Sequence, residues 1–326
     1  MKAAITAVAG YVPEKILTNK ELESRVETTE QWILERTGIA ERRILVEGEE
    51  PSSQMGVKVF QDLCKKRGIA PTEIDMLVVA TATPDYPCPA NGNIIAYQAG
   101  AGHIPSFDMN VACSGFVYAL ATASQFIETG KYKKVIVIGM DHMTSIIDPQ
   151  DRNTCIIFGD GAGGVLLEPT EQGGIQDFIL HSDGAGESLL YVPSGGSKKS
   201  IDAKVLEERS QFLKQDGRVV FKHAVQSMVG VTQELLARNQ VKIDDLAWLV
   251  PHQANLRIIQ TVGEQLAIPI EKVMINIQKY GNTTAATIPL CLWEYENKIK
   301  KSDRLVLVAF GGGFTWGAVY LEWMYG

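Results

Sequence analysis

Cys113 is the residue of this sequence best placed to act as a nucleophile. It lies between the apolar run 107–112 and a stretch with apolar residues at helical spacing, so the sequence predicts a cysteine at a strand-to-helix elbow. Free backbone N–H groups and the helix dipole stabilise an anion there, which would lower the pKa of the thiol and favour the thiolate. Taken alone, a cysteine before a helix is more often an ordinary core residue.

His252 and Asn282 are the polar partners that the sequence offers to this thiol. His252 follows the predicted strand 246–251, and α/β folds bind ligands at the carboxyl ends of such strands. Asn282 lies in the stretch KYGNTTAATIP, at a second predicted elbow. The glycine run 311–313 follows the predicted strand 305–310 and permits a tight turn with an accessible N–H, which suits an oxyanion hole.

The two predicted elbows belong to halves of the chain that repeat one pattern. In both halves short apolar runs alternate with amphipathic stretches, which predicts an α/β architecture with buried sheets. Two separate matches, one of them Cys113 opposite Asn282, share nearly one offset of 169 or 170 residues. We therefore predict a tandem duplication, with residues 1–170 carrying the cysteine and residues 171–326 carrying the histidine and the asparagine. Chance similarity between unrelated α/β units is the weaker alternative.

Composition and charge exclude several classes of protein. With 326 residues, of which 45% are hydrophobic and 21% charged, the chain has the composition of an ordinary globular protein. No apolar run approaches ~18 residues and the N-terminus lacks a signal-peptide pattern, so we expect a cytoplasmic protein without a membrane partner. The net charge of −7 argues against nucleic acid as a partner. The five cysteines form no CxxC pair and have no histidine at metal-ligand spacing, so no metal site is expected.

Several longer motifs carry a resemblance to a known family over nearly the whole chain. They are WILERTGI, VACSGF around Cys113, DRNTCIIFGDGAG, LVPHQANLRII around His252, YGNTTAATIP around Asn282 and FGGGFTWG. In these motifs the sequence resembles the β-ketoacyl-acyl carrier protein synthase III family of the thiolase-like superfamily. The resemblance implies an α/β thiolase-like five-layered αβαβα fold built from two duplicated halves, a homodimer, and a catalytic triad of Cys113, His252 and Asn282.

The same resemblance implies which residues bind the substrates. The N–H groups of Cys113 and Gly312 would form the oxyanion hole. Coenzyme A would contact Trp32, Arg36, Arg152, Phe221 and Asn255. Because acyl carrier proteins are acidic, docking on this net negative chain needs a local basic patch. We expect that patch at Arg257 and Lys222, beside Gln253, Ala254, Asn255 and Leu256. Cys88 stands where the family often has phenylalanine, and would shape the acyl pocket across the dimer interface.

The activity implied by the resemblance is a decarboxylating Claisen condensation in two stages. Cys113 would take the acyl group from an acyl-CoA, which is a substrate, so that no cofactor is needed. His252 and Asn282 would then donate hydrogen bonds to the enolate formed from malonyl-acyl carrier protein. The product, a 3-oxoacyl-acyl carrier protein, initiates fatty-acid synthesis. Two alternatives stay open: a thiolase-like acyltransferase of secondary metabolism, and a non-catalytic scaffold that binds acyl carrier protein. The long polar segment 193–218 receives no role from the sequence.

Overall fold

The computed structural model describes residues 1–46, 48 and 50–325. The strands are β1 (Lys2–Tyr11), β2 (Ile16–Thr18), β3 (Glu41–Arg43), β4 (Met76–Ala80), β5 (Ser106–Met109), β6 (Val135–Asp141), β7 (Gly161–Thr170), β8 (Gly174–Ser182), β9 (Leu190–Tyr191), β10 (Lys214–Gln215), β11 (Trp248–Pro251), β12 (Arg304–Gly311) and β13 (Thr315–Glu322). The helices are α1 (Asn19–Glu23), α2 (Glu30–Thr37), α3 (Ser52–Arg67), α4 (Asn91–Gln98), α5 (Gly115–Glu128), α6 (Arg152–Cys155), α7 (Ala203–Glu207), α8 (Gly217–Arg238), α9 (Leu256–Gln265), α10 (Ile277–Tyr280) and α11 (Thr287–Tyr295). Among the described residues, no helix is long and apolar enough to span a bilayer.

Two sheets with the same strand order form the centre of the molecule. The first sheet has the order β1-β7-β6-β4-β5, and the second has β8-β13-β12-β11 when read in the same direction. One pair in each sheet is parallel, β6 with β4 in the first and β12 with β11 in the second. The other neighbouring strands pair antiparallel, except that β5 pairs with β4 in parallel. A single parallel bridge from Leu249 to Val273 stands in the second sheet where β5 stands in the first.

Helices cover both faces of both sheets, which gives five layers. The central helices α5 and α11 share one apolar core with inward-facing residues of both sheets. The helices α3 and α4 pack on the outer face of the first sheet, and α8 and α9 on the outer face of the second. Every residue of β4 and β6 is buried, as expected for strands covered on both faces. The αβαβα order predicted from the sequence is confirmed.

The structure gives the two halves a common offset of 172 residues, not 169 or 170. This spacing separates the first residues of β1 and β8 (2 and 174), of β4 and β11 (76 and 248), and of α5 and α11 (115 and 287). At this offset Cys113 corresponds to Ala285. The predicted pairing of Cys113 with Asn282 is therefore wrong, because Asn282 precedes its elbow whereas Cys113 lies within its own. The division into residues 1–170 and 171–326 stays a prediction.

Local sequence signals predict some helix ends better than others. Thr28 or Thr29 as an N-cap and Gly38 as a stop predict a short helix over residues 30–37, which is confirmed as α2, capped by the Thr29 side chain and ended by Gly38 at a φ of 75°. Apolar residues near helical spacing over 224–239 predict a second helix. The observed helix α8 begins seven residues earlier, at Gly217, because the Asp216 carboxylate accepts a hydrogen bond from the Val219 N–H and caps it.

The polar segment 193–218 is ordered by contacts with the residues after β6. Arg209 pairs with Asp148 at 2.5 Å. The backbone N–H of Leu213 donates to the Ile146 carbonyl at 2.8 Å. The segment therefore forms part of the wall of the central cavity, into which Leu213 and Gln215 project.

Candidate active site

Cys113, His252 and Asn282 line one cavity of about 570 Å³ between the two sheets. The three residues come from a turn before α5, the end of β11 and the segment before α11. Apolar side chains supply most of the remaining wall, among them Met143, Ile146, Phe158, Leu190, Leu213, Val220, Met228 and Ile258. The cavity thus offers three polar functional groups in an otherwise apolar surrounding, which is usual for a site that binds a small molecule.

Cys113 lies in a tight turn, Ala112–Ser114, that leads directly into α5. Ala112 has a φ of 44°, and the Ser114 hydroxyl donates to the Thr315 carbonyl at 2.9 Å, which ties the turn to the second sheet. Strand β12 ends against this turn at Gly311. A methyl group on Gly311 would lie 2.8 Å from the Cys113 nitrogen, so only glycine permits the close approach.

The cysteine thiol is more basic in the free protein than the sequence predicts. Burial and, to a smaller extent, the charge of Asp141 raise the pKa of Cys113 to about 12. The expectation that the elbow lowers this pKa is therefore wrong, because loss of solvation outweighs the helix N-terminus. Deprotonation of Cys113 at neutral pH consequently needs a base.

His252 is buried, and its Nδ1 atom lies 2.7 Å from the Thr287 hydroxyl oxygen. That hydroxyl donates to the Thr284 carbonyl at 2.9 Å, so in this arrangement Nδ1 carries the imidazole proton and Nε2 carries the lone pair. Burial lowers the pKa of His252 to about 3, which keeps the ring neutral at neutral pH. A neutral imidazole with a free Nε2 lone pair can accept a proton from a thiol.

Asn282 is held at both its backbone and its side chain. Its N–H donates to the Ile157 carbonyl at 2.9 Å, and its carbonyl accepts from the Gly159 N–H at 3.1 Å. The side-chain oxygen Oδ1 accepts from the Thr284 N–H at 2.9 Å. Because this bond engages the acceptor end of the carboxamide, Nδ2 is the end available to donate to a ligand.

Family models match this chain on both sides of the cavity. The model described as 3-oxoacyl-[acyl-carrier-protein] synthase III matches residues 107–184, and the one for the C terminal part of that enzyme matches residues 236–323. A β-ketoacyl-[acyl-carrier-protein] synthase III of Porphyromonas gingivalis is 48% identical, covering 100% of this chain and 97% of the relative. The chain belongs to the 3-oxoacyl-acyl carrier protein synthase III family.

Further comparisons place the fold in the same family. A synthase III of Chlorobium chlorochromatii is 49% identical, covering 99% of this chain and 100% of the relative. The crystal structure of 3-oxoacyl-[acyl-carrier-protein] synthase III from Aquifex aeolicus superposes with a TM-score of 0.90 at 40% identity, covering 98% of this chain and 100% of that chain. The thiolase-like fold predicted from the motifs is thus confirmed.

Asp141 is a buried residue of this synthase-family site that the sequence reasoning missed. It ends β6, and its carboxylate accepts five hydrogen bonds. The donors are the hydroxyls of Thr81, Thr83 and Thr284 and the N–H groups of Ala82 and Ala285. A carboxylate directly after a buried apolar strand was the available signal. Thr284 and Thr287 were also missed, although both lie in the quoted motif around Asn282.

The residues predicted to bind coenzyme A fall into two groups. Phe221 and Asn255 line the cavity. Outside its lining, the guanidinium carbons of Arg36 and Arg152 lie 5.8 and 5.0 Å from the centre of the Trp32 ring. The Asn255 side chain joins the groups by donating to the Arg36 carbonyl at 3.1 Å. Contact of these residues with coenzyme A stays a prediction.

One residue of the predicted docking surface for acyl carrier protein, Gln253, is not on the surface. Gln253 is fully buried and its side chain donates to the Pro251 and Met274 carbonyls and accepts from the Asn276 N–H. A side chain enclosed in this way cannot contact a protein partner, so the assignment of Gln253 is wrong. Contact of the other members with acyl carrier protein stays a prediction: Ala254, Asn255, Leu256, Arg257 and Lys222, of which Arg257 and Lys222 are exposed.

Two further predicted roles keep their status as predictions. Gly312 lines the cavity, as an oxyanion donor must. Cys88 is exposed and lies outside the lining of this chain's own cavity, so its role depends on a second subunit. Within the described part of the chain, no group of three His, Cys, Asp or Glu side chains could hold a metal ion.

Proposed function

We propose that this protein condenses an acyl-CoA primer with malonyl-acyl carrier protein to give a 3-oxoacyl-acyl carrier protein and carbon dioxide. The observation that carries the proposal is the convergence of Cys113, His252 and Asn282 on one apolar cavity. Membership of the synthase III family supports the substrate classes. This condensation would be the step that initiates fatty-acid synthesis.

In the first stage Cys113 takes the acyl group from acyl-CoA. His252 Nε2 accepts the thiol proton as the sulfur attacks the thioester carbonyl, and the N–H groups of Cys113 and Gly312 stabilise the oxyanion. Collapse of the tetrahedral intermediate expels the coenzyme A thiolate, which takes the proton back from His252. The imidazole ends this stage neutral, in agreement with the direction in which burial shifts its pKa.

In the second stage the malonyl carboxylate leaves as carbon dioxide and its electron pair forms an enolate. Asn282 Nδ2 donates to the enolate oxygen, and the enolate carbon attacks the acyl-cysteine. His252 can donate as well if its proton lies on Nε2. The Thr287 hydroxyl permits this, because it can donate to Nδ1 in place of the Thr284 carbonyl. The released Cys113 thiolate then takes up one proton.

A homodimer formed through the open edge of the first sheet is part of the proposal. Strand β5 is an edge strand, and an unpaired edge is a ready template for pairing with a second copy. Helix α4 is bonded to β5 through the Asn91 N–H and Asp108, and its Tyr97 is 83% exposed, while Tyr86 in the loop before α4 is 57% exposed. A pairing here would bring Cys88 of one subunit toward its partner. The cytoplasmic location and the absence of nucleic-acid and membrane partners stay predictions.

One experiment tests this function against both alternatives. The protein is incubated with radiolabelled acyl-CoA, and the label on Cys113 is measured before and after addition of malonyl-acyl carrier protein. We expect label on the wild type, none on Cys113→Ala, and transfer to a 3-oxoacyl-acyl carrier protein. Absence of label would favour the scaffold. Label that malonyl-acyl carrier protein does not discharge would favour an acyltransferase of secondary metabolism.

A further inference from the structure

We propose that Thr284, anchored by Asp141, is the positioning residue that holds His252 and Asn282 together for the condensation stage. This inference rests on the proposed function. Neither residue reaches the reacting atoms in the mechanism above. Their role would be to fix the two side chains that act on the enolate.

Thr284 contacts both sides of the enolate site through its backbone. Its N–H donates to Asn282 Oδ1 at 2.9 Å and thereby sets the orientation of the carboxamide. Its carbonyl accepts from the Thr287 hydroxyl at 2.9 Å, and that hydroxyl lies 2.7 Å from His252 Nδ1. A small displacement of the Thr284 backbone would therefore move both side chains at once.

Asp141 holds Thr284 in place through its side chain. The Thr284 hydroxyl donates to Asp141 Oδ2, and the next N–H, that of Ala285, donates to the same oxygen. The other carboxylate oxygen accepts from Thr81, Ala82 and Thr83, which fixes the anchor to the loop after β4. The anchor matters because Thr284 has a φ of 50°, a conformation that a β-branched residue rarely adopts.

The other elbow of the molecule is built without such an anchor. At the offset of 172 residues, Thr284 corresponds to Ala112 and Asp141 corresponds to Gly313. Ala112 reaches a φ of 44° with only a methyl side chain. The backbone turn therefore forms without a hydroxyl and a carboxylate, so their presence at the second elbow points to a role beyond forming the turn.

Asp141 also acts on the thiol, in the opposite sense. Its charge contributes to the raised pKa of Cys113, although less than burial does. Removal of that charge should therefore make Cys113 easier to alkylate while it damages condensation. Loosening of the fold would speed the labelling of the other buried cysteines as well, Cys64, Cys155 and Cys291, whereas loss of the charge should affect Cys113 alone.

Three variants of two threonines test the inference. Thr284→Ala removes the hydroxyl and Thr284→Ser keeps it. Thr83→Ala is the matched control, since it removes one hydroxyl bond to the other carboxylate oxygen, which Thr81 and Ala82 still hold, and touches neither His252 nor Asn282. Acylation of Cys113 by acyl-CoA is measured in a single turnover, and condensation is measured separately by adding malonyl-acyl carrier protein to the preformed acyl-enzyme.

We expect Thr284→Ala to slow condensation by about 10²-fold, the size of effect that a displacement of about 1 Å can have. Acylation should slow as well, because His252 is its base, but by a smaller factor than condensation, which uses both His252 and Asn282. Thr284→Ser should restore condensation, and Thr83→Ala should leave both stages near wild type. Equal loss of both stages in Thr284→Ala, or an equal loss of condensation in Thr83→Ala, would overturn the proposal.

Asp141→Asn supplies the second readout. We expect faster labelling of Cys113 by iodoacetamide together with slower condensation. A fall in both would count against the inference, and if this variant does not fold the threonine variants decide. If the wild-type protein is not acylated, the proposed function is contradicted. If wild type and Thr284→Ala condense at the same rate, only this inference is contradicted.

Discussion

The two elbows that face the cavity have similar backbone turns, but a buried carboxylate contacts only one of them. In the turn Thr284–Ala286, the N–H of Ala285 donates to the carboxylate of Asp141, which belongs to the protein itself. The turn Ala112–Ser114 has a glycine at the position corresponding to that carboxylate, Gly313, and opens to the cavity. N–H groups at the start of a helix stabilise an anion. One elbow is thus filled by a carboxylate of the chain itself, and in the proposed mechanism the N–H groups of the other stabilise the oxyanion of the substrate.

This difference indicates how a duplicated unit can acquire two tasks. The filled elbow contacts Asn282 directly and His252 through Thr287. The open elbow carries Cys113 on the end of a helix, where a bound thioester can meet N–H donors. In the proposed mechanism the nucleophile and the proton-handling groups come from different elbows, and a substitution at one elbow should affect one stage of the reaction more than the other.

The largest effect should follow removal of the nucleophile at the open elbow. Cys113→Ala should abolish both acylation and condensation, because no other side chain of the elbow can form the thioester. Intact-protein mass spectrometry after incubation with acyl-CoA measures the acyl adduct. An adduct that persists in Cys113→Ala would place the nucleophile elsewhere, and Cys88, which is exposed, would be the first residue to examine.

His252 and Asn282 should separate in their effects on the two stages. Since burial raises the pKa of Cys113 to about 12, acylation needs the imidazole as a base, and His252→Ala should slow both stages by about 10²–10⁴-fold. Asn282→Ala should slow condensation to a similar degree but leave acylation near wild type, because the carboxamide acts only on the enolate. Single-turnover acylation and condensation rates give the comparison. Normal acylation in His252→Ala would show that the helix N-terminus alone activates the thiol.

The pH dependence of thiol labelling tests the open elbow in the free protein. Because the pKa of Cys113 is raised, the thiolate fraction at pH 8 is small and grows about tenfold for each pH unit up to pH 10. Iodoacetamide should therefore modify the exposed Cys88 before Cys113 at pH 8. Peptide mapping against time measures the order. Fast labelling of Cys113 at pH 8 would show that the N–H groups of the open elbow outweigh burial after all.

Sequence patterns predicted the open elbow well and the filled elbow poorly. Cys113, its strand-to-helix position and the glycines after β12 are local features, which a pattern can reveal. The bond from Thr284 to Asp141 spans 143 residues and depends on how the two halves pack, so no local pattern contains it. The same limit explains the wrong offset, the wrong pKa direction at Cys113 and the assignment of the buried Gln253 to a docking surface.

Substitution of two corresponding glycines should give the smallest effects and the sharpest contrast between the elbows. Gly139 of β6 lies against the filled elbow, where an added methyl group would clash with the Ala285 carbonyl oxygen. A methyl group added to Gly311 of β12 would lie 2.8 Å from the Cys113 nitrogen. Each substitution by alanine should lower the free energy of unfolding by about 1–3 kcal/mol, with Gly139→Ala at the upper end. Urea unfolding measures this, and Gly230→Ala in α8, which meets nothing within 4 Å, is the control expected not to lose stability.

The two glycine variants should also differ in which stage they slow. Gly311→Ala displaces the N–H groups beside Cys113 and should reduce acylation more than condensation. Gly139→Ala displaces the turn that carries Thr284 and should reduce condensation more than acylation, because Asn282 and Thr287 are held by that residue. Assays are made under conditions where both variants are folded, as judged by circular dichroism. If each variant slowed both stages by the same factor, the elbows would act as one rigid unit and the division of tasks between them would be refuted.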